Sequence, residues 1–340
     1  MRRETGLPES VIERRCPDCA ERVADGSAHA CPRGGPGPRV DPDEPLLHAV
    51  LGGRYEITER IGRGGMGEVY RARHLALGTD VALKVLVRSA DATAQQRFAR
   101  EAQLASSVRH PNTVVIHDFG VLRGGRAYLV MELIQGQTLA AALARGPLQV
   151  ASALRIARQI ADGLAAVHAQ DIVHRDLKPD NIFLVAHEGQ PDFVKIVDFG
   201  IALTLAPVPQ DAAADGGAPR LTVAGSTIGT AHYMSPEQAE GAALDGRSDQ
   251  YALGVVLYEM LSGRLPFDGS PMTILAAHLT RPPPALSAQA PGTGIPAPVE
   301  QLVMRMLAKE PGQRLGSMRE VIREIDRLLA LLDPARRRRR

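Results

Sequence analysis

The sequence predicts an α+β chain of two lobes, a smaller mainly-β one followed by a larger mainly-α one. Alternating apolar residues flank a glycine-rich turn between Arg54 and Val85, the signature of paired strands. After Gly136 the character changes, because Leu154, Ala157, Ile160, Ala161, Leu164 and Val167 trace one stripe of a long helix. The length of 340 residues accommodates two domains or one large two-lobed one, at about 150 residues per domain. With 44% hydrophobic and 23% charged residues, a wholly disordered or fibrous chain is excluded.

Taken in order, Tyr55, Ile57 and Ile61, then Val69 and Val81 to Val85, read as strands of a small antiparallel sheet. Thr93 to Ser107 is helical, with Phe98, Ala102 and Ala105 on one face and Glu101 beside it. Strands at Val114 to Phe119 and Tyr128 to Met131 complete the first lobe, which ends near Ile134. Residues 205–220 and 281–298 are rich in Ala, Pro and Gly and read as mobile loops. The organisation that follows is a cysteine-containing leader at 1–33, a Gly/Pro-rich linker at 34–53, a folded body at 54–332 and a basic tail at 333–340.

The net charge of +2 comes from the tail: without Arg336 to Arg340, 35 basic side chains face 38 acidic ones, a balance of −3. A basic nucleic-acid-binding body is therefore excluded, and no specific nucleic acid is expected as a partner. The richest apolar run, Tyr251 to Leu261, is shorter than the roughly 18 residues of a membrane span and contains Glu259. The N-terminus lacks the apolar stretch of a secretory signal, so a cytoplasmic location is expected.

Ile61-Gly62-Arg63-Gly64-Gly65-Met66-Gly67 contains G-x-G-x-x-G, whose glycines let backbone N–H groups approach phosphate oxygens. Such a triplet is weak alone, arising about 0.3 times by chance at this glycine content. A following strand rather than a helix argues against a dinucleotide fingerprint, and a Walker loop would need G-K-[ST]. Lys84, in Val81-Ala82-Leu83-Lys84, needs a partner if buried, and Glu101 on the next helix is the obvious one. The strong signal is His174-Arg175-Asp176-Leu177-Lys178-Pro179-Asp180-Asn181 followed by Asp198-Phe199-Gly200. Asp176 offers a carboxylate to a hydroxyl proton, while Asn181 and Asp198 offer hard oxygens to Mg²⁺ on nucleotide phosphates.

In this order, with Ser235-Pro236-Glu237 and the later Asp249 and Arg314, these motifs resemble the eukaryotic-like (Hanks-type) protein kinase family. The forms G-G-M-G-E-V-Y and G-T-A-H-Y-M-S-P-E are most similar to bacterial Ser/Thr kinases. The resemblance covers about residues 55 to 331 and implies a bilobal protein-kinase fold. It further implies transfer of the γ-phosphoryl group of ATP to Ser/Thr hydroxyls of protein substrates. Gly62, Gly64 and Gly67 would then cover the phosphates, Lys84 would hold the α- and β-phosphates, and Glu101 would fix Lys84. Ile61, Val69, Ala82 and Phe183 look like the apolar walls around adenine, with hinge residues Glu132 and Leu133 supplying backbone hydrogen bonds. Asp176 would be the base and Lys178 the charge-neutralising cation, with Asn181 and Asp198 holding Mg²⁺ or Mn²⁺. His174 takes a packed structural role behind Asp198 and Phe199, and Thr230 resembles the threonine that bonds the catalytic Asp and Lys.

Arg175 beside the base calls for a counter-anion, which a phosphate on Thr222, Ser226 or Thr227 would supply after autophosphorylation. Some relatives pair their N-lobes, so a homodimer is among the expected partners. Cys16, Cys19 and Cys31 read either as a zinc ribbon lacking its last ligand, with Gly34 in that place and His29 as substitute, or as its degenerate remnant. Arg336 to Arg340 read as a solvated tail or as a contact with an anionic membrane surface. They also stand where relatives of the receptor type enter the membrane, so the cytoplasmic part of an anchored receptor kinase is a second expectation. The competing function is a non-catalytic scaffold or nucleic-acid-associated protein using the Cys knuckle and Arg tail.

Overall fold

The computed structural model describes residues 9–16, 19, 21–24, 30–34, 45–65, 67–86, 92–122, 125–187, 189–199, 230–290, 292 and 294–333. They fall into two compact units that divide at Leu133 and Ile134, with Val108–Val114 belonging to the second. The α+β class is thus realised as a sheet-rich unit and a helix-rich one.

The first unit contains β1 (Glu9–Ser10), β2 (Ile12–Arg15), β3 (Arg22–Ala24), β4 (Ala49–Leu51), β5 (Tyr55–Gly64), β6 (Gly67–His74) and β7 (Thr79–Leu86). Helix α1 (Ala92–Ser107) and strands β8 (Ile116–Leu122) and β9 (Ala127–Glu132) complete it. The strand order is β1-β8-β9-β7-β6-β5-β4-β2-β3. Val81–Leu86 forms a near-continuous apolar run because β7 lies mid-sheet between β6 and β9, and all six residues are buried. Leu51, Tyr55, Ile57, Tyr70, Leu83, Tyr128 and Val130 fill the core, and α1 packs on β8 and β9.

Two readings of the N-terminal residues change. The stretch read as a linker contains the buried Leu46 and strand β4, which pairs with β5 through Val50↔Glu56 and Leu51↔Tyr55. Described residues of the leader join the same sheet: β1 runs parallel to β8, and β2 runs antiparallel to β4. Only Val11 separates β1 from β2, so one short extended segment ties the β8 edge of the sheet to its β4 side. The short strands lack a repeating apolar pattern, which is why sequence periodicity does not reveal them.

In the second unit, β10 (Gln137–Thr138), β11 (Ile182–His187) and β12 (Gln190–Ile196) form a small antiparallel sheet. The unit's helices are α2 (Leu139–Leu143), α3 (Val150–His168), α4 (Pro236–Glu240), α5 (Gly246–Ser262), α6 (Pro271–Thr280), α7 (Leu286–Gln289), α8 (Ala297–Met306) and α9 (Met318–Leu332), of which α2 and α3 pack on the sheet. The predicted stripe on α3 is buried and faces α5, α9 and β12. Helix α5 is buried nearly all round, which accounts for the apolar run Tyr251 to Leu261. Among the described residues no helix is long and apolar enough to cross a membrane.

The 281–298 stretch is not wholly loop. It contains α7 and enters α8, and Leu286 is fully buried against the α5 core. Two of its prolines stand at a helix start rather than prevent one, Pro296 as the N-cap of α8 and Pro298 in its first turn. The corresponding reading of 205–220 lies outside the described residues. If Leu286 is a core residue, Leu286→Ala lowers unfolding stability by about 2–5 kcal/mol. Urea denaturation checks this, and a change within about 0.5 kcal/mol would mark a surface loop instead.

Candidate active site

In the first unit the glycine-rich segment is the hairpin of β5 and β6, with pairs Gly62↔Val69, Arg63↔Glu68 and Gly64↔Gly67. The register slips between Arg60 and Gly62, so Ile61 is a bulge residue and is 43% exposed. The glycines are not equivalent. Gly67 has φ +145°, and a Cβ there would overlap the Val85 carbonyl on β7. At Gly64 a Cβ would meet nothing within 4 Å, which leaves the backbone approachable as a phosphate loop requires.

On β7, Lys84 lies opposite Val69 of β6 and Leu129 of β9 and is 8% exposed. Ala82, two residues back and buried, lies opposite Met131, the last residue before Glu132 and Leu133. Glu101 sits on α1, packed on the neighbouring β8. The N–H of Glu132 already donates to the Val115 carbonyl at 2.9 Å, and its carboxylate accepts the Val115 N–H at 3.2 Å. Glu132 is therefore no donor to a base, which narrows the hinge expectation.

The second unit brings together the other half of the predicted set. Asp176, buried, accepts two hydrogen bonds from the Lys178 ammonium, at 3.0 and 2.8 Å. The Asn181 amide nitrogen donates to the Asp176 backbone carbonyl at 2.8 Å and to its carboxylate at 3.1 Å. With that nitrogen committed, Asn181 has its carbonyl oxygen to offer a cation. The Asn181 backbone carbonyl accepts the Val197 N–H at 2.9 Å, so the residue preceding Asp198 is bonded directly to Asn181. An amide oxygen and a carboxylate suit a hard divalent ion. Phe183, on β11 opposite Lys195, follows two residues later.

His174 is fully buried, meets Phe199 edge to face at 5.7 Å and lies 3.1 Å from the Val197 carbonyl through Nε2, the packed role expected of it. Asp249, in the first turn of α5, holds the loop from below. Its carboxylate accepts the backbone N–H groups of His174 at 2.8 Å and Arg175 at 2.9 Å, and the His168 ring nitrogen lies 2.7 Å away. Burial would raise the Asp249 pKa, but the His168 hydrogen bond, the nearby imidazoles and the His174 N–H bring it below the ordinary value. His168 carries no motif signal, because it meets Asp249 only through the packing of α3 on α5.

Arg314 confirms its expected partner, with nitrogens 2.7 and 2.8 Å from the two oxygens of Glu237 and a further bond to the Arg247 carbonyl. Burial alone would raise the Glu237 pKa, but Arg314 and Ser248 hold it below the ordinary range. Ser235 caps α4, whose Gln238 side chain donates to the Arg175 carbonyl at 2.7 Å. Thus the Ser-Pro-Glu segment and the Asp176 loop are braced together.

Thr222, Ser226 and Thr227 lie outside the described residues, as do His29, Gly200, Arg336 to Arg340 and the Thr230 side chain. Cys16, Cys19 and Cys31 come together in the first unit.

The protein kinase domain family model matches residues 55–324. The Myxococcus xanthus serine/threonine-protein kinase pkn3 is 41% identical over 305 residues, 88% of this chain and 54% of the relative. Serine/threonine-protein kinase PrkC of Bacillus subtilis is 40% identical over 284 residues, 82% of this chain and 41% of the relative. The crystal structure of the Mycobacterium tuberculosis PknI kinase domain, C20A mutant, superposes with a TM-score of 0.61 at 28% identity, covering 80% of this chain and 94% of that one. The chain spans about half or less of the length of these curated relatives.

The glycine geometry makes a paired prediction. Gly67→Ala destabilises the first unit by about 1–3 kcal/mol through its clash with β7, whereas Gly64→Ala stays within about 0.5 kcal/mol. Urea unfolding of both variants separates a structural glycine from one kept open for a ligand.

Proposed function

The chain belongs to the protein kinase family, and we propose that it acts as a serine/threonine protein kinase, moving the γ-phosphoryl group of ATP to Ser and Thr hydroxyls of proteins. The observation that carries this reading is the Asp176 carboxylate held by Lys178 and Asn181 within one loop. A chain that spans half of its relatives supports the catalytic part of their function.

In this reading the Asp176 carboxylate orients the incoming hydroxyl and accepts its proton as the new P–O bond forms and the bond from the γ-phosphorus to the bridging oxygen breaks, ADP leaving with that oxygen. The Lys178 ammonium, now against Asp176, balances charge on the transferring group. Asn181 through its amide oxygen and Asp198 through its carboxylate would hold the divalent ion; when bound, Mg²⁺ neutralises phosphate charge, and Mn²⁺ suits the same oxygen donors. Lys84 takes the α- and β-phosphates and Glu101 positions Lys84. Gly62 and Gly64 present backbone N–H groups to phosphate, with Gly67 securing the hairpin on β7. Ile61, Val69, Ala82 and Phe183 enclose adenine, and the Leu133 backbone supplies hinge hydrogen bonding along with the Glu132 carbonyl.

The Lys178 position favours Ser and Thr acceptors, in line with the relatives, which are serine/threonine-protein kinases. Cytoplasmic ATP is the natural phosphoryl source. Phosphorylation of Thr222, Ser226 or Thr227 would offer an anion to the Arg175 guanidinium.

Incubation with γ-labelled ATP, Mg²⁺ and a generic protein acceptor tests the proposal. The wild-type chain labels serine and threonine, and Asp176→Asn lowers transfer by about 10²–10⁴-fold while binding of a fluorescent ATP analogue persists. Equal labelling by the two proteins, or labelling on tyrosine alone, contradicts the reading.

A further inference from the structure

We propose that Cys16, Cys19 and Cys31 form a thiolate site for one Zn²⁺ ion, which fastens the N-terminal segment that closes the sheet of the first unit. The three sulfur atoms lie within 4.8 Å of one another although Cys31 is distant in sequence from the other two. Three thiolates on one zinc at about 2.3 Å would stand about 3.8 Å apart, so a small contraction suffices. Cys16 is buried, and Cys19 and Cys31 are partly accessible, which gives an ion a route in.

Both ligand-bearing segments carry the same dipeptide in sequence, Cys16-Pro17 and Cys31-Pro32. The Cys16 N–H donates to the Glu21 carbonyl, and the Gly34 N–H donates to the Cys31 carbonyl, both at 2.9 Å. The three sulfurs are close enough that their thiolates would repel one another, and a shared soft dication turns them into ligands of one charge.

The position of the cluster supplies its role. Cys16 follows β2 directly, and β3 begins shortly after Cys19. Strand β2 pairs with β3 on one side and β4 on the other, while β1 pairs with β8. Ser10 meets the Tyr128 hydroxyl at 2.9 Å, the Val11 carbonyl accepts the Gly52 N–H at 3.0 Å, and buried Arg14 donates to the carbonyls of Pro45 and Leu47. These strands are two to four residues long, too short to hold their register alone. A metal at the turn behind β2 secures them. This inference does not depend on the kinase reading.

The test uses the full chain, purified under reducing conditions, with metal content measured by mass spectrometry. The expectation is about one zinc per chain, falling below about a tenth in Cys19→Ser and Cys31→Ser. Cobalt added to the metal-free protein should give the intense near-ultraviolet absorption of thiolate-to-cobalt charge transfer in the wild type and lose most of it in Cys31→Ser. Chelation should speed amide exchange in Ile12–Arg15 and Ala49–Leu51 by at least about tenfold and leave α5 unchanged. Wild-type protein without zinc or a cobalt band, or Cys31→Ser with wild-type zinc content, would overturn the site. Exchange unmoved by chelation would overturn its fastening role.

Discussion

A buried carboxylate underlies the Asp176 loop of the second unit. Asp249, in the first turn of α5, accepts the consecutive backbone N–H groups of His174 and Arg175, with the His168 ring on its remaining side. An isolated charge at 1% exposure would be costly, and three hydrogen bonds together with the positive end of α5 offset that cost. What they secure is a strained loop. Arg175 has φ +66°, a conformation that costs a non-glycine residue about 1–3 kcal/mol. The surrounding bonds over-determine it, and Asp176 inherits its orientation from the residue before it.

From that anchor the remaining geometry follows by short links. Asp176 is fixed by the loop, Asn181 by Asp176, and Val197 by the Asn181 carbonyl. The Glu237–Arg314 pair braces the same region from the other side, through Gln238 and the Arg175 carbonyl. Buried pairs of this kind contribute more to keeping one arrangement than to net stability, since desolvation offsets much of the attraction. Here that arrangement is the one that the proposed phosphoryl transfer uses.

Much of this was legible in the sequence where chemistry dictates both residue type and spacing. Asp176, Lys178 and Asn181 are locked together by a local turn, so their mutual geometry is nearly implied by their order along the chain. The α3 stripe and the apolar β7 run were equally readable, because burial imposes periodicity or its absence. What escaped depends on long-range packing. His168 is joined to Asp249 across 81 positions and carries no motif. Strands β1 to β4 are too short to show alternation and were read as leader and linker. Leu286 stood among prolines and looked like loop, although it is a core residue. The glycine motif was recognisable, but only the structure separates Gly67, which β7 demands, from Gly64, which nothing local demands.

The central claim is that the Asp249 carboxylate holds the Asp176 loop in its working form. Asp249→Asn nearly preserves shape but removes the charge and one of the two acceptor oxygens. Hydrogen exchange of the His174 and Arg175 amides, measured beside phosphoryl transfer, tests the claim most directly. The account predicts exchange faster by at least about tenfold at these amides, transfer reduced in parallel, and protection in α3 retained. Unchanged exchange at His174 and Arg175 with full transfer activity would contradict it.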